Sequence, residues 1–284
     1  MSAAATTGFD GQMEGATLGF YRRVLGALLA EQVPFLVGGG FAFSHYTGIQ
    51  RYTKDIDLFV RPRDAEWALG TMAAAGFRTE MVAAHWLGKA FCEDAFVDLV
   101  FSSGNGVAVV DDEWLGHAIA APILGLNVQL CPVEEMIWSK AYVLERERYD
   151  GADIIHLIQA RGRQLDWQRM FRRFDDHWQL LFSHLLLFRF VYPSHRSLVP
   201  RWVMRALMGR LRRELGSGAP DRPLCQGTLL SARQYLIDVE RRGYDDARLD
   251  PAVQMTAADI AQLTRSIRAE EGHGNPGVEP SGPG

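Results

Sequence analysis

Residues 36–60 read LVGGGFAFSHYTGIQRYTKDIDLFV. Three glycines close one short apolar run, and two aspartates open the next. Glycine weakens a strand, and neighbouring carboxylates repel, so both features cost stability. In DIDLFV the side chains alternate between faces, which puts Asp55 and Asp57 on one side and Ile56 and Leu58 on the other, toward a core. Two bare carboxylates a strand-step apart raise each other's pKa. A divalent cation removes that repulsion, and Mg²⁺ suits such a site because it takes oxygen ligands and keeps several waters.

A third carboxylate stands in AFVDLVF, where Asp98 interrupts an apolar predicted strand. A charge there needs a partner. Pairing of this strand beside DIDLFV brings Asp98 onto the face of Asp55 and Asp57; the alternatives are that it caps a loop or pairs with an arginine. Three carboxylates can hold two metal ions ~3.5–4 Å apart, the arrangement used for in-line phosphoryl or nucleotidyl displacement. The glycines fit the same picture. A turn at Gly38 and Gly39, between a strand and a short helix, lets backbone N–H groups approach a phosphate at a helix N-terminus. Arg51 and Lys54 precede the carboxylates and can neutralise phosphate oxygens. Arg51 can equally salt-bridge to an acidic side chain and hold the loop.

The combined pattern resembles the nucleotidyltransferase superfamily, whose fold is named after polymerase β. Its signature is an apolar residue, a Gly-Gly or Gly-Ser pair, a gap of roughly a dozen residues, Asp-x-Asp, and a third carboxylate on a later strand. Here it reads Val37, Gly38, Gly39, then Asp55-Ile56-Asp57, then Asp98. The phrase looks most like the bacterial subgroup of AbiEii-type toxins and their uncharacterised relatives, which also has a lysine in a later helix and an Arg/Asp-rich stretch after it. Lys140 matches, with Asp150 and Asp153 downstream. The resemblance covers residues 33–160. Gly39 stands where many members have serine, which removes a hydroxyl contact to phosphate. The VRD of tRNA CCA-adding enzymes is absent, so that activity is not implied.

The resemblance implies an α/β (α+β) nucleotidyltransferase fold, a mixed sheet flanked by helices, followed by an all-helical C-terminal domain. It implies metal-dependent transfer of a nucleoside monophosphate from an NTP, ATP by default, to an acceptor hydroxyl. Asp55, Asp57 and Asp98 would be metal ligands and catalytic residues for Mg²⁺ (or Mn²⁺), two ions in all. Gly38, Gly39, Arg51, Lys54 and Lys140 would bind the nucleotide. The acceptor can be RNA or tRNA, a protein side chain or a small molecule. The alternative is a non-catalytic nucleotide- or protein-binding module of a toxin–antitoxin or defence system on the same fold.

The chain has 284 residues, enough for a full core, with 48% hydrophobic and 23% charged residues. A formal net charge of −4 gives no global case for nucleic-acid binding. Cys92, Cys131 and Cys225 form no paired motif and read as small fillers in a reducing cytoplasm. The start lacks the features of a signal peptide. The greasiest run, WQLLFSHLLLFRFVY (178–192), is too short for a bilayer and is interrupted by His184 and Arg189.

Periodicity predicts a helix over 15–32, short strands at FLVG and DIDLFV, a helix from Pro62 to a stop at Gly76, and strands at FRTEMVA, KAFCED and AFVDLVF. APILG and LNVQLCP form a hairpin joined at Gly125 to Asn127. From Pro132 onward strand signals vanish and helices follow, including VEEMIWSKAYVLERERY and DWQRMFRRFDDHWQLLFSHLLLFRF. The expected division is a disordered start (1–14), an α/β domain (15–131), a helical domain (132–271) with a linker at 216–227, and a disordered tail (272–284). Lys140 either faces solvent or meets phosphate, while Asp150 and Asp153 read as a helix cap and a helix-start charge. The histidines show no metal-ligand spacing. Arginines in 161–174 and 201–215 are interleaved with Trp, Phe and Leu. They read as solvated faces of amphipathic helices or as a track for an RNA acceptor.

Overall fold

The computed structural model describes residues 15–50, 53–218 and 221–273. The expected disordered start, Arg51 and nearly all of the expected tail lie outside the described residues. Helix α1 (Gly15–Ala30) buries Phe20, Tyr21, Val24, Leu25 and Leu28, a stripe at helical spacing. Strand β1 (Leu36–Val37) leads at once into α2 (Gly39–Thr47). Gly48 ends that helix in the left-handed region at φ +73°, its N–H donating to Ser44 O at 2.8 Å. Then come β2 (Asp55–Phe59), a 3₁₀ turn at Pro62–Asp64 and α3 (Ala65–Ala74).

Strands β3 (Arg78–Ala83), β4 (Leu87–Cys92) and β5 (Ala95–Val100) follow, then a short helix α4 (Asp112–Gly116) and the hairpin β6 (Ile119–Ile123) and β7 (Leu126–Leu130). These strands form one mixed sheet in the order β3-β4-β5-β2-β1-β7-β6. β2 runs parallel to β5, and β1 parallel to β7; the other neighbours are antiparallel. Ile56, Leu58, Val97 and Leu99 are fully buried, all on one face of the central pair β2–β5. Helix α1 packs against β5 and β7, α3 against β3 and β4, and the two helices against each other.

The second half is helical: α5 (Val133–Lys140), α6 (Gly151–Arg161), α7 (Trp167–Phe174), α8 (Trp178–Val191), α9 (Arg201–Gly216), α10 (Ala232–Arg241) and α11 (Ala257–His273). α2 packs on both β2 and α6, and so ties the sheet to the helices. A single hydrophobic core runs from Phe20 to Met255. The fold class is a mixed sheet flanked by helices and followed by a helical region, as expected. Among the described residues no helix is long and apolar enough to cross a membrane.

Four local expectations are corrected. The hairpin turns at Leu124 (φ +50°) and Gly125 (φ +76°), not at Gly125–Asn127, because two consecutive left-handed residues match the strand twist. The helix expected through VEEMIWSKAYVLERERY stops at Lys140, and Leu144 and Tyr149 bridge instead. The long helix expected over 166–190 breaks at Asp175, whose φ of +33° a helix cannot hold. Finally, the C-terminal half is not all-helical: β8 (Leu224–Cys225), inside the expected linker, pairs in parallel with β9 (Asp245–Asp246).

Candidate metal and nucleotide site

The parallel register of β2 and β5 sets Asp57 opposite Asp98 and Asp55 opposite Phe96. Aligned residues of paired strands project to the same side, so all three carboxylates share the face that the core does not occupy. The predicted convergence of Asp55, Asp57 and Asp98 is therefore present at the level of the backbone. Burial, then Asp55, then Asp98 push the Asp57 carboxyl up to about 7, against the opposing pull of Lys140 and Arg148.

The glycines fit against this group. Gly39 holds φ at +51°, and a β-carbon there would fall on the Asp57 carboxylate. At Gly38 it would meet the Phe59 ring and lie 3.1 Å from Cys131 Sγ. Gly40 faces Thr53, whose Oγ1 donates to Asp55 Oδ1 at 2.9 Å. The chain reaches the carboxylates closely only because these positions carry no side chain.

One expected role changes. The Gly38 N–H donates to Asp57 O at 2.9 Å, extending the β1–β2 ladder, so it is not free for a phosphate. The amides that open α2 are those of Gly39 and Gly40, at a helix start where N–H groups lack intrahelical acceptors.

Asp98 is not a bare carboxylate. Lys89 on β4 is its cross-strand partner, with Nζ 2.7 Å from Asp98 Oδ1 and 4.0 Å from the centre of the Phe96 ring. Burial raises the Asp98 pKa, and Lys89 opposes that rise. Among the described residues no group of three or more His, Cys, Asp or Glu side chains is placed to hold a metal ion as it stands. The donor chemistry nonetheless fits a hard cation: an all-carboxylate set, mutually repelling, with the Asp57 pKa raised by burial and then by Asp55 and Asp98.

Lys140, at the end of α5, is turned inward rather than to solvent. Its Nζ lies 2.8 Å from Asp150 Oδ2 and 2.9 Å from Asp153 Oδ2. Asp150 does precede α6, but its carboxylate caps no helix amide; Lys140 and Arg148 take it and hold its pKa down against burial. Sequence periodicity does not reveal Arg148, because its stretch has helical composition but folds back through the Leu144–Tyr149 bridge. Arg148 acts electrostatically on Asp57 and is exposed beyond its bonds to Asp150. Lys54 is exposed just before β2, with its carbonyl accepting from Tyr21 of α1, and nothing among the described residues ties its ammonium to the carboxylates. Arg51 lies outside the described residues. Lys89 and Thr53 are further site residues that the motif alone did not reveal.

Fold and site together define a mixed α/β protein that sets three acidic residues on one face of its sheet, with a glycine-opened helix against Asp57. No protein-family model matches this chain, and no curated protein matches it. Several solved structures do. One is the antibiotic-resistance factor ANT(2'')-Ia in solution, at 20% identity and TM-score 0.44 over 61% of this chain and 98% of that one. Another is the lincosamide antibiotic adenylyltransferase LnuA, lincomycin-bound, at 17% identity and TM-score 0.36 over 51% of this chain and 97% of that one. A third is an antigenic nucleotidyltransferase-like protein from Paracoccidioides brasiliensis, at 17% identity and TM-score 0.40 over 66% and 93%.

Proposed function

We propose that this chain is a metal-dependent nucleotidyltransferase of the polymerase-β-like superfamily, in its AbiEii-toxin-like subgroup. It moves a nucleoside monophosphate from an NTP to an acceptor hydroxyl. The observation that carries the reading is the Asp57–Asp98 register, with Asp55 on the same face and Gly39 stripped of any side chain against Asp57. A structural protein gains nothing from assembling these costs in one place.

Asp55 and Asp57 would hold Mg²⁺ or Mn²⁺, with Asp98 joining them for a second ion once released from Lys89. Bound there, the metal would offset negative charge on the triphosphate and on the attacking oxygen. The Gly39 and Gly40 amides would receive phosphate oxygens at the start of α2. Asp98 would take the proton of the acceptor hydroxyl, whose oxygen attacks the α-phosphorus in line. The bond from that phosphorus to the bridging oxygen breaks, and pyrophosphate leaves. Lys140 and Arg148 would neutralise the charge that collects on the leaving group. The subgroup reading is supported by Lys140 and its two aspartates, which follow the third carboxylate as the resemblance implies.

A second reading, nucleotide binding without transfer, is favoured by one observation: Lys89 already occupies Asp98. One experiment separates the two. The protein is incubated with Mg²⁺, each NTP labelled at its α-phosphate, and pools of RNA, protein and small molecules. The transferase reading predicts label entering one pool with stoichiometric pyrophosphate. Nucleotide retained with no label transferred supports the binding module.

A further inference from the structure

A cleft lies between α7 and α9, lined by none of the three carboxylates. The facing stripes are Gln168, Phe171 and Arg172 on α7 and Trp202, Arg205, Ala206, Gly209, Arg210 and Arg213 on α9, around a cleft of about 500 Å³. Helical spacing lines up these positions, and Ala206 and Gly209 leave the floor open. A β-carbon at Gly209 would meet only Arg213 Nη1, at 3.7 Å.

Two kinds of group meet here. The rings of Phe171 and Trp202 stand 5.5 Å apart and tilted by 32°, with the Arg210 guanidinium over Phe171 at 5.6 Å. Trp202 remains 46% exposed, so an aromatic face is open to solvent. Four arginines and no acidic residue line the cleft, on a chain whose net charge is −4. Arg210 donates to the Asp175 carbonyl, and Arg172 reaches Glu113 only at 3.8 Å. Among the described residues no acidic side chain pairs with Arg205 or Arg213, which stand about 12 Å apart along α9. The nearest acids stand at the margin: Glu113 beside Arg172, and Glu214 on α9, which accepts from Gln179.

We propose that the α7–α9 cleft binds single-stranded nucleic acid, stacking a base on Trp202 while Arg205 and Arg213 take flanking phosphates. Charge complementarity selects a polyanion, and the open ring selects one with flat bases between its phosphates. A duplex hides its bases and cannot stack in this way. Taken with the transferase reading, the cleft names the acceptor as a nucleic-acid strand, but the binding does not depend on that chemistry.

The test is fluorescence anisotropy with a fluorescein-labelled, mixed-sequence RNA strand, alone and annealed to its complement, titrated with the full chain at two salt concentrations. The single strand should bind more tightly than the duplex, and more weakly as salt rises. Trp202→Ala should weaken binding at least ~5-fold, and Trp202→Phe should restore most of it. Arg205→Ala/Arg213→Ala should weaken it ~10-fold or more and flatten the salt dependence. Gly209→Leu keeps every charge, fills the cleft and should weaken binding at least ~5-fold. The titration contains neither NTP nor divalent metal, so a failed transferase reading leaves this one standing. Equal affinity for strand and duplex, or binding unmoved by Trp202→Ala and Gly209→Leu in folded protein, would overturn the proposal.

Discussion

Lys89 Nζ lies 2.7 Å from Asp98 Oδ1, an ion pair made across β4 and β5 at the rim of the carboxylate face. Both side chains are about four-fifths withdrawn from solvent, at 22% and 17% exposure. Such a pair falls between an exposed one, worth under ~1 kcal/mol, and a buried one, whose breakage costs ~3–5 kcal/mol. Lys89→Met should therefore lower stability by about 1–3 kcal/mol, read by urea denaturation at neutral pH. It should also raise the Asp98 pKa, since Lys89 is the group opposing burial there. Unchanged stability would mean that the pair is incidental.

Gly39→Ala should abolish nucleotide binding and cost about 1–3 kcal/mol of stability, from a strained φ and from displacement of Asp57. Gly48 provides the control. It also has positive φ, at +73°, but a β-carbon there meets nothing within 4 Å. Gly48→Ala should cost about 1 kcal/mol and leave nucleotide binding intact. Isothermal titration with Mg-NTP, beside denaturation curves, distinguishes a site glycine from a capping glycine.

Asp57 makes stability depend on pH in a stated direction. Its folded-state pKa is raised from 3.8 to about 7, so the native state holds a proton that the unfolded chain releases earlier. Stability is then highest below pH ~4 from this group and is lost as pH rises toward and through 7. The shift corresponds to about 4 kcal/mol at most, and to about 2–4 once residual solvent contact is allowed for. In metal-free protein Asp57→Asn should thus be more stable than wild type at pH 8 by that amount and equal to it near pH 4. A variant that loses stability at pH 8 would contradict the account of a carboxylate buried among other carboxylates.

Much of this was legible in residues 36–60. Strand alternation alone places Asp55 and Asp57 together and opposite Ile56 and Leu58, and the glycine run marks the start of α2. Asp98 was legible as a costly residue, but its position depended on which strand paired with β2 and in what register, which is a long-range matter. Lys89 was hidden for the same reason: only the β4–β5 register sets it opposite Asp98. Arg148 was hidden because its stretch has helical composition yet folds back through the Leu144–Tyr149 bridge. The Gly38 amide was misjudged because a two-residue strand, too short to announce its own pairing, uses it in the ladder.

Lys140 links the site to the helical half through Asp150 and Asp153. Lys140→Met should remove the cation that Asp150 and Asp153 share, leaving Arg148 on Asp150, and weaken binding of the triphosphate at least ~10-fold, while an NMP is affected far less. Competition binding with NTP and NMP measures the ratio. Equal losses for both would place Lys140 away from the outer phosphates.

The most direct measurement is the thermal midpoint of the full chain with Mg²⁺ alone, NTP alone and the two together, for wild type and Asp57→Asn. Ligand that binds only the native state raises stability by about 2.7 kcal/mol at a hundredfold excess over its Kd. The metal–nucleotide site predicts a rise of several degrees for wild type with Mg-NTP, a smaller one with either component, and none for Asp57→Asn. Equal midpoints for wild type in all conditions, or an undiminished rise in Asp57→Asn, would contradict it.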